Sequence, residues 1–557
     1  MFRLPAVRHT RALVPFILLI ALTFATWSVV LRAEFVNWDD THLILQNPRV
    51  SHFSPKIFTT FDPELYIPLT LLTFQIEHAL FGFDPFFFHL DNLFLHTLNV
   101  LLLFALLRSF FPPRTGSPPW IAFVGALLFA VHPLHTESIA WISARKDLLS
   151  TFFFLLAFLT FRHSGARDRE RTVVWLSLSL FLFLLALLSK VTAAVLPLVL
   201  LFDLLRQQRF SSWKTLFPLL PFFLLSTVFI MVAAVGQQHS VFGLSFSELF
   251  LLAGARVIFA LQKFFLPLHL LPLYPAPSIT LSSARYFLPL ILLPGATFLT
   301  MRFLRQNRVA LLGGLLFLLP LLPSLLSYVQ ADTVTLGADR YLYLPSIGLI
   351  VFLCGLTMPF LQKKTLRIVL AAGVMGILLV FSVLSHRYAR TWGTSERLFQ
   401  HLLQEYPDLH IAWNNLGFVY FSRKENDRAF PYFLRALELR PNYPDAHLNV
   451  AAVYARRGEL TEAEEHIREA VALAPNRPLP HYNLGGIHFL RGEWDEAIIQ
   501  YKIVLQLDPF FTRAAVQLAK TYLRSGDEEQ ARESYRRAIV IDPAVRGAHT
   551  ELNSLLL

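Results

Sequence analysis

Cysteine is almost absent from this chain, and its scarcity excludes two common kinds of site. The single cysteine among 557 residues, Cys354, lies inside an apolar stretch. One cysteine cannot form an intramolecular disulfide, and it cannot supply the paired thiolates of a CxxC metal site. The compartment of the protein therefore has to be inferred from other features.

Charged residues are also scarce, and their placement excludes a nucleic-acid partner. They make up 16% of the chain, whereas soluble domains carry about 25%. The net charge of +11 comes from basic residues that cluster in short loops between apolar stretches. This distribution follows the positive-inside rule of integral membrane proteins, so the predicted partner is a lipid bilayer.

The apolar stretches predict about eleven membrane spans, because a span needs about 20 apolar residues. The predicted spans are 12–31, 91–111, 117–134, 145–162, 171–188, 190–205, 214–236, 286–303, 309–328, 342–361 and 366–385. The first of them is too long for the apolar core of a signal peptide and lacks a small-x-small cleavage site, so it is predicted to remain uncleaved. Residues 248–275 are interrupted by charges and prolines, and they are predicted to form an interfacial helix.

The positive-inside rule assigns every second loop to the cytoplasm and places the N-terminus there as well. An odd number of spans then puts the C-terminal region on the opposite side. The segments 32–90, 135–144, 237–285 and 329–341 share that outer side. The short loops favour a bacterial inner membrane with a periplasmic C-terminal domain.

Residues 410–543 repeat a soluble pattern with a period of 34, which is typical of tetratricopeptide (TPR) repeats. In the first repeat, Trp413, Leu416, Gly417 and Ala429 occupy the characteristic positions. Four repeats with a partial capping helix are predicted over 410–557, preceded by a linker helix over 391–409. A solenoid of this kind predicts capture of a protein or peptide partner on its concave face, and a spacer or an oligomerisation element is the alternative.

A pair of carboxylates follows the first span in the sequence Trp38-Asp39-Asp40. Adjacent carboxylates repel one another, so one of them can act as a base near neutral pH. The alternative is an acidic pair that caps a loop. Trp38 is a candidate for the wall of a substrate pocket.

Polar side chains also line the spans that follow. Asn92, His96 and Asn99 form one stripe on a helix, after His89. His132 and His135, with Glu137 nearby, have a spacing that can bind a metal, although histidines of this kind more often orient substrate or cap helices. We take these histidines, with Asn92 and Glu137, as substrate-pocket candidates, and interhelical hydrogen bonding is the alternative.

Four cations lie on the predicted outer side, against the positive-inside trend: Arg145, Lys146, Lys190 and Arg340. Ammonium and guanidinium groups bind anionic oxygens, so these four are candidate phosphate ligands. The alternative is pairing with Asp147 or Asp339. Asp147 and Tyr341 complete the set of pocket candidates.

Several segments in the same order resemble the transmembrane and TPR repeat-containing O-mannosyltransferase family, in a bacterial form. They are FVNWDD, HPLHTESIAWISARKDLLS, LLSKVTAAVLPLVLLFDLL, ADRYLYLPSIGL and the TPR tail. The resemblance implies an all-α fold, with a polytopic bundle of the C-type (GT-C) glycosyltransferases over 1–390 followed by the TPR solenoid. It also implies that the catalytic carboxylate lies at Asp39 or Asp40, in the first outer loop (32–90).

The resemblance further implies transfer of a sugar from a polyprenyl-phosphate donor to a hydroxyl of a protein or another surface acceptor. The four cations would stabilise the departing phosphate. No cofactor is certain, and a divalent metal is possible but not favoured. A membrane-anchored TPR scaffold without activity and a lipid-linked glycan ligase or polymerase remain as alternatives. The sugar and the acceptor are left open.

Overall fold

The computed structural model describes most of the chain. The described residues are 6–61, 65–112, 120–164, 169–207, 213–236, 244–276, 279–280, 282–304, 307–326, 329–330, 333–358, 364–542, 545 and 547–555. They form two compact units, 1–394 and 395–557. The predicted domain bounds remain predictions. Both units are built almost entirely of helices, so the predicted all-α class is confirmed.

The first unit is a bundle of apolar helices with short helical turns between them. Its helices are α1 (Ala6–Trp27), α2 (Pro48–Ser51), α3 (Pro68–Phe81), α4 (Pro85–Phe110), α5 (Trp120–Val131), α6 (Thr136–Ala140), α7 (Arg145–His163), α8 (Arg169–Ser189), α9 (Leu196–Arg206), α10 (Leu220–Gly236), α11 (Phe246–Phe265), α12 (Ala284–Leu304), α13 (Arg308–Leu326), α14 (Tyr343–Thr357) and α15 (Lys364–Thr391). A small antiparallel sheet has the order β1 (Tyr274–Pro275), β3 (Thr333–Gly337), β2 (Val329–Gln330).

A helix lies at each of the eleven predicted spans. Among the described residues, six helices are long and apolar enough to cross a membrane, and α5 with the bent segment after it gives a seventh. The count of eleven therefore remains a prediction. Residues 117–119, 327–328 and 359–361, at the ends of three predicted spans, lie outside the described residues.

The described part of the predicted first outer loop (32–90) is folded rather than extended. Its apolar side chains form a small core with α3 and α4, and Ile142 from the segment before α7 joins that core. The core residues are Leu43, Ile44, Val50, Ile57, Ile67, Leu71, Phe74, Phe88 and Ile142. Burial of these side chains holds the loop against the segment that precedes α7, and this contact brings Asp40 to Ser143.

Helices α13 and α14 approach so closely that glycine is required at the crossing. A Cβ atom at Gly348 would overlap the backbone nitrogen of Phe317, and one at Gly313 would overlap the backbone nitrogen of Phe352. Because backbone atoms cannot move aside as a flexible side chain can, a methyl group here would force the helices apart. The Gly-to-Gly contact therefore fixes the position of α14.

We expect Gly348→Ala to destabilise the protein by roughly 1–3 kcal/mol, the usual cost of overpacking a close contact. The measurement is the thermal melting temperature of the purified protein in detergent. Gly373→Ala is the matched control, because a Cβ at Gly373 meets no atom within 4 Å. Equal melting temperatures for the two variants would contradict the close packing of α13 on α14.

The second unit consists of helical hairpins at the predicted 34-residue period. Its helices are α16 (Ser395–Glu405), α17 (His410–Ser422), α18 (Asn426–Leu439), α19 (Pro444–Arg457), α20 (Leu460–Leu473), α21 (Pro478–Arg491), α22 (Trp494–Leu507), α23 (Thr512–Ser525), α24 (Glu528–Ile541) and α25 (Ala548–Ser554). Four successive pairs, from α17 to α24, are the predicted repeats, and α25 lies where the capping helix is predicted. The characteristic proline Pro543 lies outside the described residues.

The turn between the two helices of each repeat needs a residue with positive φ. Gly458, Gly492 and Gly526 adopt φ of 82°, 78° and 89° at equivalent positions, where glycine has no Cβ to clash. The first repeat has Lys424 at this position, with φ of 65°. The first hairpin therefore accepts a strained conformation that the other three avoid.

Candidate functional site

The two acids of the Trp38-Asp39-Asp40 motif have opposite environments. Asp40 is fully buried, and its carboxylate accepts three hydrogen bonds. The backbone N–H of Val36 donates to Oδ2 at 3.0 Å, and Ser143 donates to Oδ1 from its backbone N–H at 3.0 Å and its hydroxyl at 2.5 Å. Asp40 therefore ties the first outer loop to the segment before α7, and no part of its carboxylate is presented to a substrate.

Burial raises the pKa of the Asp40 carboxyl, which makes the stability of the protein depend on pH. Loss of hydration raises the pKa of its carboxyl from the usual 3.8 to about 6, against the opposing effect of the three hydrogen bonds. The folded protein therefore binds more protons than the unfolded chain between these two pH values. The stabilisation from the protonated group is complete below pH 3.8 and is lost as the pH rises through about 6.

We expect the wild type to lose roughly 3 kcal/mol of stability relative to Asp40→Asn between pH 4 and pH 7, at about 1.4 kcal/mol for each pKa unit. The measurement is the difference in melting temperature between the two proteins across that pH range. Asp39→Asn, which replaces an exposed carboxylate, is the control. A difference between the wild type and Asp40→Asn that does not change with pH would disprove the effect.

The Asp39 side chain is exposed, and its carboxylate makes no hydrogen bond or ion pair with any residue that the structure describes. It interacts electrostatically with the ammonium group of Lys146 and with the guanidinium group of Arg340. Asp39 is thus a solvent-accessible carboxylate that faces a cluster of cations. Between the two acids, only Asp39 has a carboxylate available to a reacting group.

We call Lys146, Lys190 and Arg340, which interact electrostatically with one another, the cation cluster. Lys146 is the member whose positive charge complements the carboxylate of Asp39. It is buried, and its ammonium group lies 5.2 Å from the centre of the Trp141 ring. No hydrogen-bond partner for that ammonium group occurs among the described residues, although Asp39, Asp147, Lys190 and Arg340 act on it electrostatically. An ammonium group without a direct counter-ion retains its full capacity to bind an anion.

The other two cations of the cluster are already paired. The Lys190 ammonium donates to Asp147 at 2.5 Å, and Arg340 forms an ion pair with Glu137. Both cations therefore pair with acids, which was the alternative to phosphate binding. The partner of Arg340 is Glu137 rather than Asp339.

Aromatic rings connect the members of the cation cluster. Arg340 lies 5.0 Å from the Trp141 ring centre and 4.7 Å from that of Tyr341, and Lys190 lies 5.3 Å from the Tyr341 ring. Tyr341, a predicted pocket residue, is therefore part of the cluster. Attraction between cations and aromatic faces therefore helps to hold the three cations together.

Arg145, a predicted ligand of the donor phosphate, is engaged with protein groups in this structure. The Arg145 side chain is fully buried, and all five of its N–H donors have acceptors. The acceptors are Asn92 Oδ1, Thr73 Oγ1, both carboxylate oxygens of Glu77 and the Phe88 carbonyl. The guanidinium group is a structural bridge between α3, α4 and α7.

Most predicted pocket residues in the spans are structural as well. His89, Asn92, His96, His132, His135 and Glu137 are all at most 1% exposed. His96 contacts the Tyr343 hydroxyl at 2.8 Å, and His135 contacts the Ser346 hydroxyl at 2.9 Å. The amide of Asn92 donates to the Trp141 carbonyl at 3.2 Å, so hydrogen bonding within the protein accounts for Asn92, His96 and His135.

The rings of His132 and His89 lie against backbone groups rather than against side-chain hydroxyls. One ring nitrogen of His132 lies 3.0 Å from the Phe264 carbonyl, and the other accepts the backbone N–H of Leu134. The buried ring of His89 lies against the backbone of Glu34. Trp38 is half-buried beside the exposed Asp39. Of the pocket candidates, Trp38, Tyr341 and Asp147 thus remain at the cation cluster or next to its acid.

The described residues contain no group of three or more His, Cys, Asp or Glu side chains that could hold a metal ion. The histidines of HxxH each use their ring nitrogens on protein groups. The chain therefore offers no preformed metal site in the part that the structure describes.

Sequence reasoning missed three residues that build the site. Glu77, a lone acid on the apolar helix α3, forms an ion pair with Arg145. The Trp141 ring lies against Lys146 and Arg340, and Ser143 donates a hydrogen bond to Asp40. A single charge inside an apolar helix is the one available signal, since it needs a partner or a function. Nothing in the sequence distinguishes Trp141 from a packing residue.

An apolar groove of about 350 Å³ lies elsewhere in the first unit, between α5, α11, α14 and α15. Its walls include Val124, Leu128, Leu353 and Val374, and His132 lies at one of its edges. The composition of the walls suits a hydrocarbon chain.

Known proteins are similar to this chain over its TPR repeats and over most of its length. Tetratricopeptide repeat family models match residues 408–476 and 512–545. Protein O-mannosyl-transferase TMTC1 of Homo sapiens is 28% identical over 498 residues, which covers 75% of this chain and 54% of the relative. Protein O-mannosyl-transferase TMTC4 of Homo sapiens is 33% identical over 204 residues, covering 32% of this chain and 27% of the relative.

These matches confirm the resemblance to the transmembrane and TPR repeat-containing O-mannosyltransferase family. The chain spans about half the length of the curated relatives that it matches most extensively. Among solved structures, the MamA protein is 21% identical with a TM-score of 0.24, over 27% of this chain and 81% of MamA.

Proposed function

We propose that this chain is a membrane glycosyltransferase of the GT-C type, which moves a sugar from a polyprenyl-phosphate donor to an acceptor hydroxyl. Serine and threonine side chains of proteins are the favoured acceptors. The observation that carries the proposal is the exposed carboxylate of Asp39, which interacts electrostatically with the Lys146 ammonium group. Neither group has a hydrogen-bond or ion-pair partner among the described residues. The similarity to proteins named protein O-mannosyl-transferases supports the same class of reaction.

Asp39 would act as the general base. Its carboxylate removes the proton from the acceptor hydroxyl as the hydroxyl oxygen attacks the anomeric carbon of the sugar. A base for this step must be exposed and ionised, and it must retain free oxygen atoms. Asp39 meets the requirements of exposure and free oxygens, whereas Asp40 has both carboxylate oxygens committed to Val36 and Ser143.

Lys146 would bind the departing lipid phosphate. As the bond between the anomeric carbon and the phosphate oxygen breaks, negative charge grows on that oxygen, and a nearby ammonium group stabilises it. Arg340 and Lys190 lie near Lys146, but Glu137 and Asp147 balance their charges, so Lys146 would make the main ionic contact with the phosphate. The donor carries its own leaving group, the lipid phosphate.

The membrane setting of the reaction is also proposed. The parity of the predicted spans puts the first outer loop and the TPR domain on the non-cytoplasmic side, the periplasm of a bacterium. A donor with a polyprenyl chain reaches this site within the bilayer. The apolar groove between α5, α11, α14 and α15 has walls suited to part of such a chain.

Lys146→Met is expected to lower the rate of sugar transfer roughly 100-fold, the effect of removing one charge-stabilising group. The assay uses the purified full-length protein in liposomes, a series of polyprenyl-phosphate sugars beginning with labelled mannose, and a Ser/Thr peptide. Lys56→Met, which removes an exposed lysine from the first outer loop, is the control. Unchanged transfer by Lys146→Met would rule out its role at the phosphate.

A further inference from the structure

The ring of Trp141 is held in place without a hydrogen bond of its own. Trp141 is fully buried, and its indole N–H has no hydrogen-bond partner among the described residues. The Lys146 ammonium lies 5.2 Å from the ring centre, and the Arg340 guanidinium lies 5.0 Å from it. These two like charges repel one another. The position of the ring, and of the cations against it, therefore depends on what packs beside the ring.

Trp392 is an aromatic side chain that packs against Trp141. The two ring centres are 6.1 Å apart, and the ring planes are inclined by 26°. Trp392 is buried and directly follows the last residue of α15. Aromatic pairs at this distance attract one another beyond the burial of their surface. A smaller side chain at position 392 would leave a space into which the ring of Trp141 can shift.

Hydrogen bonds fix the end of α15 against the rest of the first unit. The hydroxyl of Ser385 donates to the Val131 carbonyl at 2.7 Å. The backbone N–H of His269 donates to the Tyr388 hydroxyl at 2.9 Å. Trp392 is therefore attached to a helix end with a defined position, so it is able to hold another ring in place.

The residue after Trp392 contacts the loop that carries the proposed base. The carbonyl of Gly393 accepts the backbone N–H of Glu34 at 3.0 Å, and Asp39 follows a few residues later in that loop. The connector from α15 to the second unit consists of only residues 392–394. Two adjacent connector residues thus contact different parts of the proposed site, one the ring beside the cations and the other the loop of the acid.

We propose that Trp392 is a positioning residue for phosphate binding. Through its contact with Trp141, it holds the Lys146 ammonium group at the place where the donor phosphate binds. Gly393 holds the other side of the site through its hydrogen bond to the loop of Asp39. The inference rests on the proposed function, because it takes Lys146 as the phosphate ligand. Trp392 acts through the ring of Trp141 and needs no contact with the donor itself.

The test measures binding of the phosphate rather than sugar transfer. The probe is a fluorescent polyprenyl phosphate, the corresponding polyprenol is the uncharged comparison, and the protein is the full-length chain in lipid nanodiscs. We expect Trp392→Leu to raise the Kd of the phosphate roughly 10-fold, because the ammonium group is no longer held at the anionic oxygens. The Kd of the polyprenol should stay within about twofold, since the polyprenol has no phosphate for Lys146 to bind.

Lys146→Met distinguishes a positioning role from a general loss of folded protein. This variant should raise the Kd of the phosphate roughly 10-fold or more. Adding Trp392→Leu to it should have no further effect, because the contact that Trp392 supports is already gone.

Trp27→Leu is the matched control, since it removes another fully buried tryptophan of the first unit. It should lower the melting temperature and leave the Kd of the phosphate unchanged. If Trp392→Leu does not purify as monodisperse protein, the same comparison is made with Trp392→Phe, for which we expect a roughly two- to threefold rise in Kd.

Equal phosphate affinity of the Trp392 variant and the wild type would overturn the inference, and sugar transfer by the wild type would then leave the proposed function standing. An equal rise in Kd with and without Lys146→Met would also overturn the inference. So would a wild type that binds the phosphate no better than the polyprenol. The expected changes in phosphate binding without any sugar transfer by the wild type would support the inference and contradict the proposed function.

Discussion

Asp39→Asn should reduce the rate of sugar transfer by a factor of roughly 10² to 10⁴, the usual contribution of a general base. Asparagine has nearly the same shape as aspartate but cannot accept the hydroxyl proton. Because Asp39 is exposed and makes no hydrogen bond or ion pair with the described residues, the variant should fold and melt like the wild type. The measurement is the initial rate of label transfer to a Ser/Thr peptide, together with the melting temperature.

Glu34→Gln is the matched control for Asp39→Asn, since Glu34 is another exposed acid in the same loop. It should leave the rate within about twofold of the wild type, because surface substitutions away from special features have small effects. The same pair separates the proposed enzyme from a membrane-anchored scaffold. A scaffold would show no transfer with either protein, and it would lose its role only when residues 410–557 are deleted.

Arg145→Met should destabilise the protein by about 3–5 kcal/mol, the cost of removing one partner from a buried ion pair. Glu77 would remain buried without its counter-ion, and the Asn92 and Phe88 oxygens would lose their donors. We expect a large loss of monodisperse protein after purification and a lower melting temperature. Arg108→Met, at an exposed position on α4, is the control.

A second substitution shows whether the effect of Arg145→Met comes from the ion pair. In Arg145→Met/Glu77→Gln the remaining partner is neutral, so the double variant should recover part of the lost stability, and the two effects should be non-additive. If Arg145→Met folds normally but transfers no sugar, the residue binds the donor and the structural assignment is wrong.

The positions of the helices could be predicted from the sequence, because they depend on local patterns of apolar residues and repeats. Apolar runs predict the helices of the first unit, and the 34-residue period predicts every hairpin from α17 to α24. These features depend on composition and spacing over tens of residues.

The roles of individual charges could not be predicted in the same way. Arg145 pairs with Glu77 across 68 residues of sequence, and Arg340 pairs with Glu137 across 203. Which cation finds a counter-ion depends on the tertiary fold, so the sequence alone offered four equivalent phosphate ligands. The structure leaves Lys146 as the member of that set without a direct ionic partner among the described residues.

The different roles of the adjacent acids Asp39 and Asp40 could not be predicted from the sequence either. Asp39 and Asp40 are chemically identical neighbours, and only burial and hydrogen bonding distinguish them. The folded loop turns one carboxylate inward to Ser143 and the other outward to the cations. A sequence pattern cannot specify that choice, because it depends on the conformation of the loop and on where Ser143 lies.

The central claim is that Asp39 carries out the chemistry while Asp40 holds the loop. Its most direct test is the initial rate of labelled mannose transfer from polyprenyl-phosphate mannose to a Ser/Thr peptide, measured in parallel for Asp39→Asn and Asp40→Asn. We predict that Asp39→Asn lowers the transfer rate roughly 10²- to 10⁴-fold at an unchanged melting temperature, and that Asp40→Asn keeps a higher residual rate with an altered melting temperature. Transfer by Asp39→Asn at the wild-type rate would contradict the account.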